Sequence, residues 1–151
     1  MIFALLQACD DFSMLVNGMP STEQDALDLL HDLPPGIPPE QKTVIGFFDE
    51  QGQLAAALDL VDGYPSERIW FIGLLLVHPD FRGKGLGRCI TESTQSAAEE
   101  NQVEALMLGV LKCNTAALRF WKSLGFEEVE RYGPCDFGMK RHMVVRMRKE
   151  L

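Results

Sequence analysis

Residues 78–88 read HPDFRGKGLGR, with glycines at 83, 85 and 87 interleaved with Arg82, Lys84 and Arg88. The apolar run IWFIGLLLV (69–77) precedes them, and the helically patterned LGRCITESTQSAAEE follows. Glycines between a strand and a helix let backbone N–H groups approach a ligand closely, and a helix start carries roughly half a positive charge. The stretch therefore points to an anion held by the backbone. It is not a P-loop, because no residue completes G-x-x-x-x-G-K-[ST]. The dinucleotide fingerprint also fails. Its third glycine falls on Arg88, and the acid about 20 positions on, Glu104, starts a strand instead of ending one.

A second pattern lies further along. After the apolar segment EALMLGV (104–110) come Asn114, Ala117, Trp121, Gly125 and Phe126, spaced three, seven, eleven and twelve from the asparagine. With [QR]-x-x-G-x-[GA] at Arg82–Gly87, this ordered pair of patterns resembles the GNAT superfamily, the GCN5-related N-acetyltransferases, over residues 43–132. The resemblance implies acetyl-CoA as donor substrate, with its pyrophosphate cradled by Arg82, Gly83, Lys84, Gly85, Leu86, Gly87 and Arg88. It also implies a pantetheine arm beside Asn114 and Trp121. Two central strands would splay between GLLLV and LMLGV, freeing the backbone N–H groups of Leu75, Leu76 and Val77 for the thioester oxyanion. Such donors are worth about 3 kcal/mol. The implied acceptor is a primary amine, small or peptidic, that attacks the thioester directly in a ternary complex.

The chain departs from that pattern at two chemical positions. Leu74 stands where a carboxylate often acts as base, and Trp121 stands where a tyrosine often protonates the thiolate. Indole donates a hydrogen bond but has no useful acidic proton. Neutralising a lysine-like amine at pH 7.4 costs roughly 4 kcal/mol, so a base is wanted. Asp59, an acid inside the apolar LAAALDLV, is the candidate. Tyr64 and Tyr132 are candidate acids, and Asp11, Asp62 and Glu67 are candidate contacts for a cationic acceptor. Cys113 lies near the expected acetyl group, but no histidine is close in sequence to activate it. The two departures also suit an alternative, a non-catalytic acyl-CoA-binding or regulatory module of the same fold.

Periodicity supplies the elements that must position these groups. Helices are expected over 3–16 and 21–32, the second capped by Ser21 with Gln24. Strands are expected over 43–49, 54–61 and 69–77, with Gly73 marking a bulge or close backbone approach. A helix over 86–100, a strand over 104–110, a helix capped by Asn114, and strands over 126–132 and 142–150 complete the pattern. This is an α/β (α+β) arrangement: a mixed, mostly antiparallel sheet of about six strands flanked by helices, with the family's first strand short or missing.

The 151 residues suffice for one domain, 1–151, with a real core. The net charge of −8 argues against a nucleic-acid partner. No apolar run reaches the roughly 20 residues of a membrane span. Four scattered cysteines and three separated histidines suggest neither disulfides nor a metal site, and favour the cytoplasm. An exposed strand edge would allow a homodimer.

Overall fold

The computed structural model describes all residues, Met1–Leu151. In chain order the elements are α1 (Ile2–Ala8), α2 (Asp10–Asn17), α3 (Glu23–His31), β1 (Lys42–Phe48), β2 (Leu54–Asp62), β3 (Ile69–Val77), α4 (Leu86–Glu100), β4 (Ala105–Leu111), α5 (Thr115–Ser123), β5 (Glu127–Phe137) and β6 (Lys140–Glu150). The strands form one six-stranded sheet in the order β1-β2-β3-β4-β6-β5. Only β3 and β4 run parallel; every other neighbouring pair is antiparallel. No strand lies among residues 1–41, as the short or missing first strand predicts. No helix is long and apolar enough to cross a membrane.

The sheet is covered on both faces. Ala56, Leu58, Leu60, Ile72, Leu106, Leu108, Val145 and Met147 meet Ile90 of α4 and Trp121 of α5 in the larger core. Alternate residues point the other way, where Ala57 and Leu76 pack with Leu5, Leu6, Cys9 and Ala26 of the N-terminal helices. This double cover is why β2 and β3 read as apolar throughout.

Two local expectations are corrected. The helix expected over 3–16 is broken at Cys9, and α2 starts afresh at Asp10, where Asp10 and Asp11 suit a new positive helix end. The cap of α3 is Thr22 with Asp25, one residue later than Ser21 with Gln24. Thr22 Oγ1 accepts from the Asp25 N–H, and Asp25 Oδ2 accepts from the Thr22 N–H. The Ser21 hydroxyl is engaged with Ser13 and the Leu6 carbonyl instead. The other boundaries fall close to expectation, except that β5 and β6 extend toward each other as a long hairpin.

Candidate active site

The parallel β3–β4 ladder pairs Ile69–Ile72 with Ala105–Leu108 and stops there. Beyond it β3 continues to Val77 along β2, and β4 continues to Leu111 along β6. The two central strands therefore open into a gap. A cavity of about 840 Å3 occupies it, lined by residues 71–77 of β3, 108–111 of β4, the glycine loop, Asn114, and Ala117 and Trp121 of α5.

The strand ladder fixes which backbone donors face this gap. The His78 N–H donates to the Ala55 carbonyl at 2.8 Å, so His78 and Ala55 form a hydrogen-bonded pair. In an antiparallel ladder such pairs alternate with non-bonded ones. With Val77 opposite Ala56, Leu76 opposite Ala57 and Leu75 opposite Leu58, the peptide groups of Leu75 and Val77 point away from β2 into the gap. The Val77 carbonyl bears this out by accepting from Arg82 Nε at 2.9 Å. Leu76 is thereby corrected as an oxyanion donor, because its N–H faces β2 and its side chain is buried under α1.

At one end of the gap the glycine loop passes into α4. Gly83 and Gly85 have φ of +71° and +84°, which side-chain-bearing residues rarely adopt, and a Cβ on either would meet nothing within 4 Å. The space above them is open to a ligand, and Gly85 caps α4 with no side chain across its N–H groups. Gly87 has a different reason: a Cβ there would come within 3.2 Å of Phe120, so it allows α4 to pack on α5. Asn114 Oδ1 accepts from the Ala117 N–H and starts α5.

Residues 9–126 match the acetyltransferase (GNAT) family. The chain belongs to that family. It is 39% identical over 74 residues to the [ribosomal protein bS18]-alanine N-acetyltransferase of Escherichia coli, covering 47% of this chain and 50% of that enzyme. The chain spans only 26% to 50% of the length of the first curated relatives it matches. Among solved structures, an acetyltransferase from Thermus thermophilus superposes with a TM-score of 0.76 at 24% identity, over 99% of this chain and 88% of that one. A Bacillus subtilis acetyltransferase in complex with CoA superposes with a TM-score of 0.62 at 17% identity, over 74% of this chain and 78% of that one. These likenesses establish the GNAT fold.

Against the family's pattern, the position of Asp59 is informative. The β2–β3 register slips between Asp59 and Leu60, so Asp59 faces Leu74, Leu60 faces Ile72, and Gly73 is the extra residue of a bulge. Asp59 Oδ2 lies where a Cβ on Gly73 would sit, at 2.5 Å, so any side chain there would displace the carboxylate. Asp59 Oδ1 accepts from Lys42 Nζ at 2.8 Å, with the two side chains 12% and 6% exposed. Burial pushes the Asp59 carboxyl above the ordinary carboxylate range, and the Lys42 ammonium opposes that shift. Asp59 lines a second cavity of about 280 Å3, together with Asp25, Asp28 and Asp32. Phe12, Val16, Gly73 and Leu74 line both cavities, so the carboxylate stands beside the gap.

Other expected site residues are redistributed. Asp11 is not free for a substrate: it holds Arg82 in a two-pronged ion pair, with contacts of 2.7 and 3.2 Å. That guanidinium keeps the Asp11 carboxyl below its ordinary range. Asp62, Glu67 and Tyr64 line neither cavity. Asp62 ends β2, Glu67 lies in the exposed turn before β3, and Tyr64 packs edge-on against Phe71 at 5.2 Å. Lys84 also lies off the cavity, donating to the Asp80 carbonyl. Arg88 lines the cavity and approaches Glu92, one turn along α4. Trp121 is 7% exposed, wedged edge-on between Phe120 and Phe126 with one surface on the cavity.

Two groups were not placed by sequence. Tyr132 lines the large cavity and is the one tyrosine that does so. Cys113 has a histidine partner after all: His142 Nδ1 lies 3.5 Å from its Sγ, and His142 Nε2 is 2.9 Å from the Val16 carbonyl. A carbonyl only accepts, so Nε2 is the donor there, and in the neutral ring Nδ1 is then the acceptor for the thiol. The pair is separated by 29 residues and joined only by the β4–β6 register, which no local pattern reveals.

Proposed function

We propose that the chain is an acetyl-CoA-dependent N-acetyltransferase in which the β3–β4 gap holds the thioester. The observation that carries this reading is the gap itself: an open glycine cradle at one end and a buried carboxylate beside the other. The free N–H groups of Gly83 to Arg88 hold the pyrophosphate, aided by the positive end of α4. The pantetheine arm runs past Asn114 and Trp121. The Leu75 N–H, directed into the gap, stabilises the oxyanion as the amine attacks.

Asp59 is the base. Burial makes its carboxyl a better proton acceptor than an exposed aspartate, and the Lys42 ammonium opposes that shift. Tyr132 is the proton donor to the departing CoA thiolate, in the role that Trp121 cannot fill. All of residues 1–151 serve this one site, in the cytoplasm, on a small or peptidic amine.

A thiol-release assay with acetyl-CoA across amino acids, polyamines, aminoglycosides and peptides tests this. Release that requires both an amine and acetyl-CoA is expected. CoA binding without release for any amine would instead establish a binding module.

A further inference from the structure

Arg146 lies on β6, opposite Gly109 of β4 and Glu130 of β5. Its neighbours Val145 and Met147 point into the core beneath α4 and α5, so Arg146 projects from the opposite face, the one that also carries Asp59. Its guanidinium carbon is 5.7 Å from the Phe71 ring centre and 5.4 Å from that of Tyr132. The side chain is 20% exposed, and Nε is buried with no hydrogen-bond partner. The Glu130 carboxylate comes only within 3.9 Å of Nη1, beyond hydrogen-bonding distance. By contrast, Arg82 is engaged by Asp11, and Arg148 by Glu150. Buried guanidinium N–H groups are normally paired, so an orphan here needs an explanation.

Its surroundings supply one. Phe71, Gly109 and Tyr132 all line the large cavity, and Arg146 packs against the two rings from behind that lining. Gly109 is the β4 residue paired with Arg146, and a Cβ there would press on Val144 Cγ1 at 3.3 Å. Two aromatic rings flank the planar fork without hydrogen-bonding to it, an arrangement suited to a carboxylate. On the other side of the gap the charge reverses, with Asp59 and the acidic wall of Asp25, Asp28 and Asp32. An acceptor lying across this face meets anions at one end and, at the other, a guanidinium whose Nε has no partner and whose one ion-pair contact, with Glu130, is long.

We propose that Arg146 binds a carboxylate of the acceptor, so that the amine acetylated here belongs to a free amino acid or a similarly small amine bearing a carboxylate. This rests on the acetyl-transfer reading above. The ammonium end is directed to Asp59 and the carboxylate to Arg146, and a polycation such as spermidine is disfavoured by the same guanidinium.

The test is thiol release from acetyl-CoA with matched acceptors: amino acids, their amides, and spermidine. A charge-assisted hydrogen bond predicts that kcat/KM for the preferred acid exceeds that for its amide by about 10- to 100-fold. Arg146→Met is expected to bring the acid-to-amide ratio close to one, and Arg146→Lys to restore it in part. The wild-type acid-to-amide ratio is informative even if a variant fails to fold. Equal rates for acid and amide, a preference for spermidine, or a ratio that survives in a folded Arg146→Met protein would overturn the inference while leaving acetyl transfer intact. No release with any amine would overturn both.

Discussion

Asp59→Asn separates what this carboxylate does for the fold from what it does for the reaction. Asparagine keeps an oxygen to accept from Lys42 Nζ, now at 2.8 Å, but removes the charge opposite a side chain only 6% exposed. Removing one partner of a buried pair costs about 3–5 kcal/mol. The retained hydrogen bond to a charged donor returns about 1.5–3 kcal/mol of that. A net loss of about 1–3 kcal/mol follows, or roughly 2–12 °C in Tm for a chain of this size. The wild-type carboxyl is raised in the fold by burial, so folding favours its protonated form. That contribution is full below the unfolded value, about 3.9, and is lost as pH rises through the higher folded value. Wild type should therefore lose stability as pH rises through the folded value, a step that Asp59→Asn, with no carboxyl to titrate, should lack.

The catalytic effect has its own, steeper pH signature. For an aliphatic amine of pKa about 10.4, roughly one molecule in a thousand is neutral at pH 7.4. If Asp59 is the base, wild type makes up that deficit through it, and the variant must draw on the neutral fraction. Its kcat/KM for the amine should be down by about 10²–10³ at pH 7.4, inside the usual range for a general base. The deficit should shrink about tenfold per pH unit, since each unit raises the neutral fraction tenfold. Thiol release at saturating acetyl-CoA, from pH 6 to 10, measures this. A rate within twofold of wild type at pH 7.4, or a deficit that does not change with pH, would refute Asp59 as the base.

Gly85→Ala forces a φ of +84° on a residue with a side chain, at about 1–2 kcal/mol, with no local clash. It should also weaken CoA at least tenfold by calorimetry, and unchanged affinity would remove the loop from the donor site. Tyr132→Phe keeps the ring against Arg146 and loses only the hydroxyl. If Tyr132 protonates the thiolate, kcat falls by about 10²–10⁴ with little change in the KM for acetyl-CoA, whereas a wild-type kcat leaves that role to water. Iodoacetamide should alkylate Cys113 faster than Cys89, both exposed, with His142→Ala abolishing the difference; peptide mass mapping reads it, and equal wild-type rates would show that the His142 contact does not activate the thiol.

What sequence disclosed, and what it hid, follows the range of the interactions. The α4 boundaries and the β3 run are local matters of apolar patterning, glycine and caps, and they were legible. Gly73 announced a bulge because glycine inside an apolar strand has few other reasons to be there, and the register slip at Asp59 is that bulge. The shifted cap of α3 was hidden because Ser21 is withdrawn by Ser13, a contact between helices. Nothing in HMVVRMRKE distinguishes Arg146 from Arg148. Only the order of β4, β6 and β5 places one between two aromatic rings and leaves the other with Glu150.

The two halves of the proposed site differ in the same way. The donor half is built from backbone: positive-φ glycines, the start of α4, and a peptide group freed where β3 parts from β4. Backbone of that kind demands particular residue types at fixed spacing, so it leaves a motif. The acceptor half is built from side chains on β1, β2, β6 and α3, brought together by strand order. Lys42 meets Asp59 from 17 residues away, and Arg146 reaches Phe71 from the far side of β4. A few substitutions on those strands could change the acceptor while leaving the donor motif untouched. On this physical ground, two chains that share the glycine loop and the Asn114–Phe126 pattern need not share an acceptor. Arg146 and Asp59 are then the positions at which a difference in substrate should first be sought.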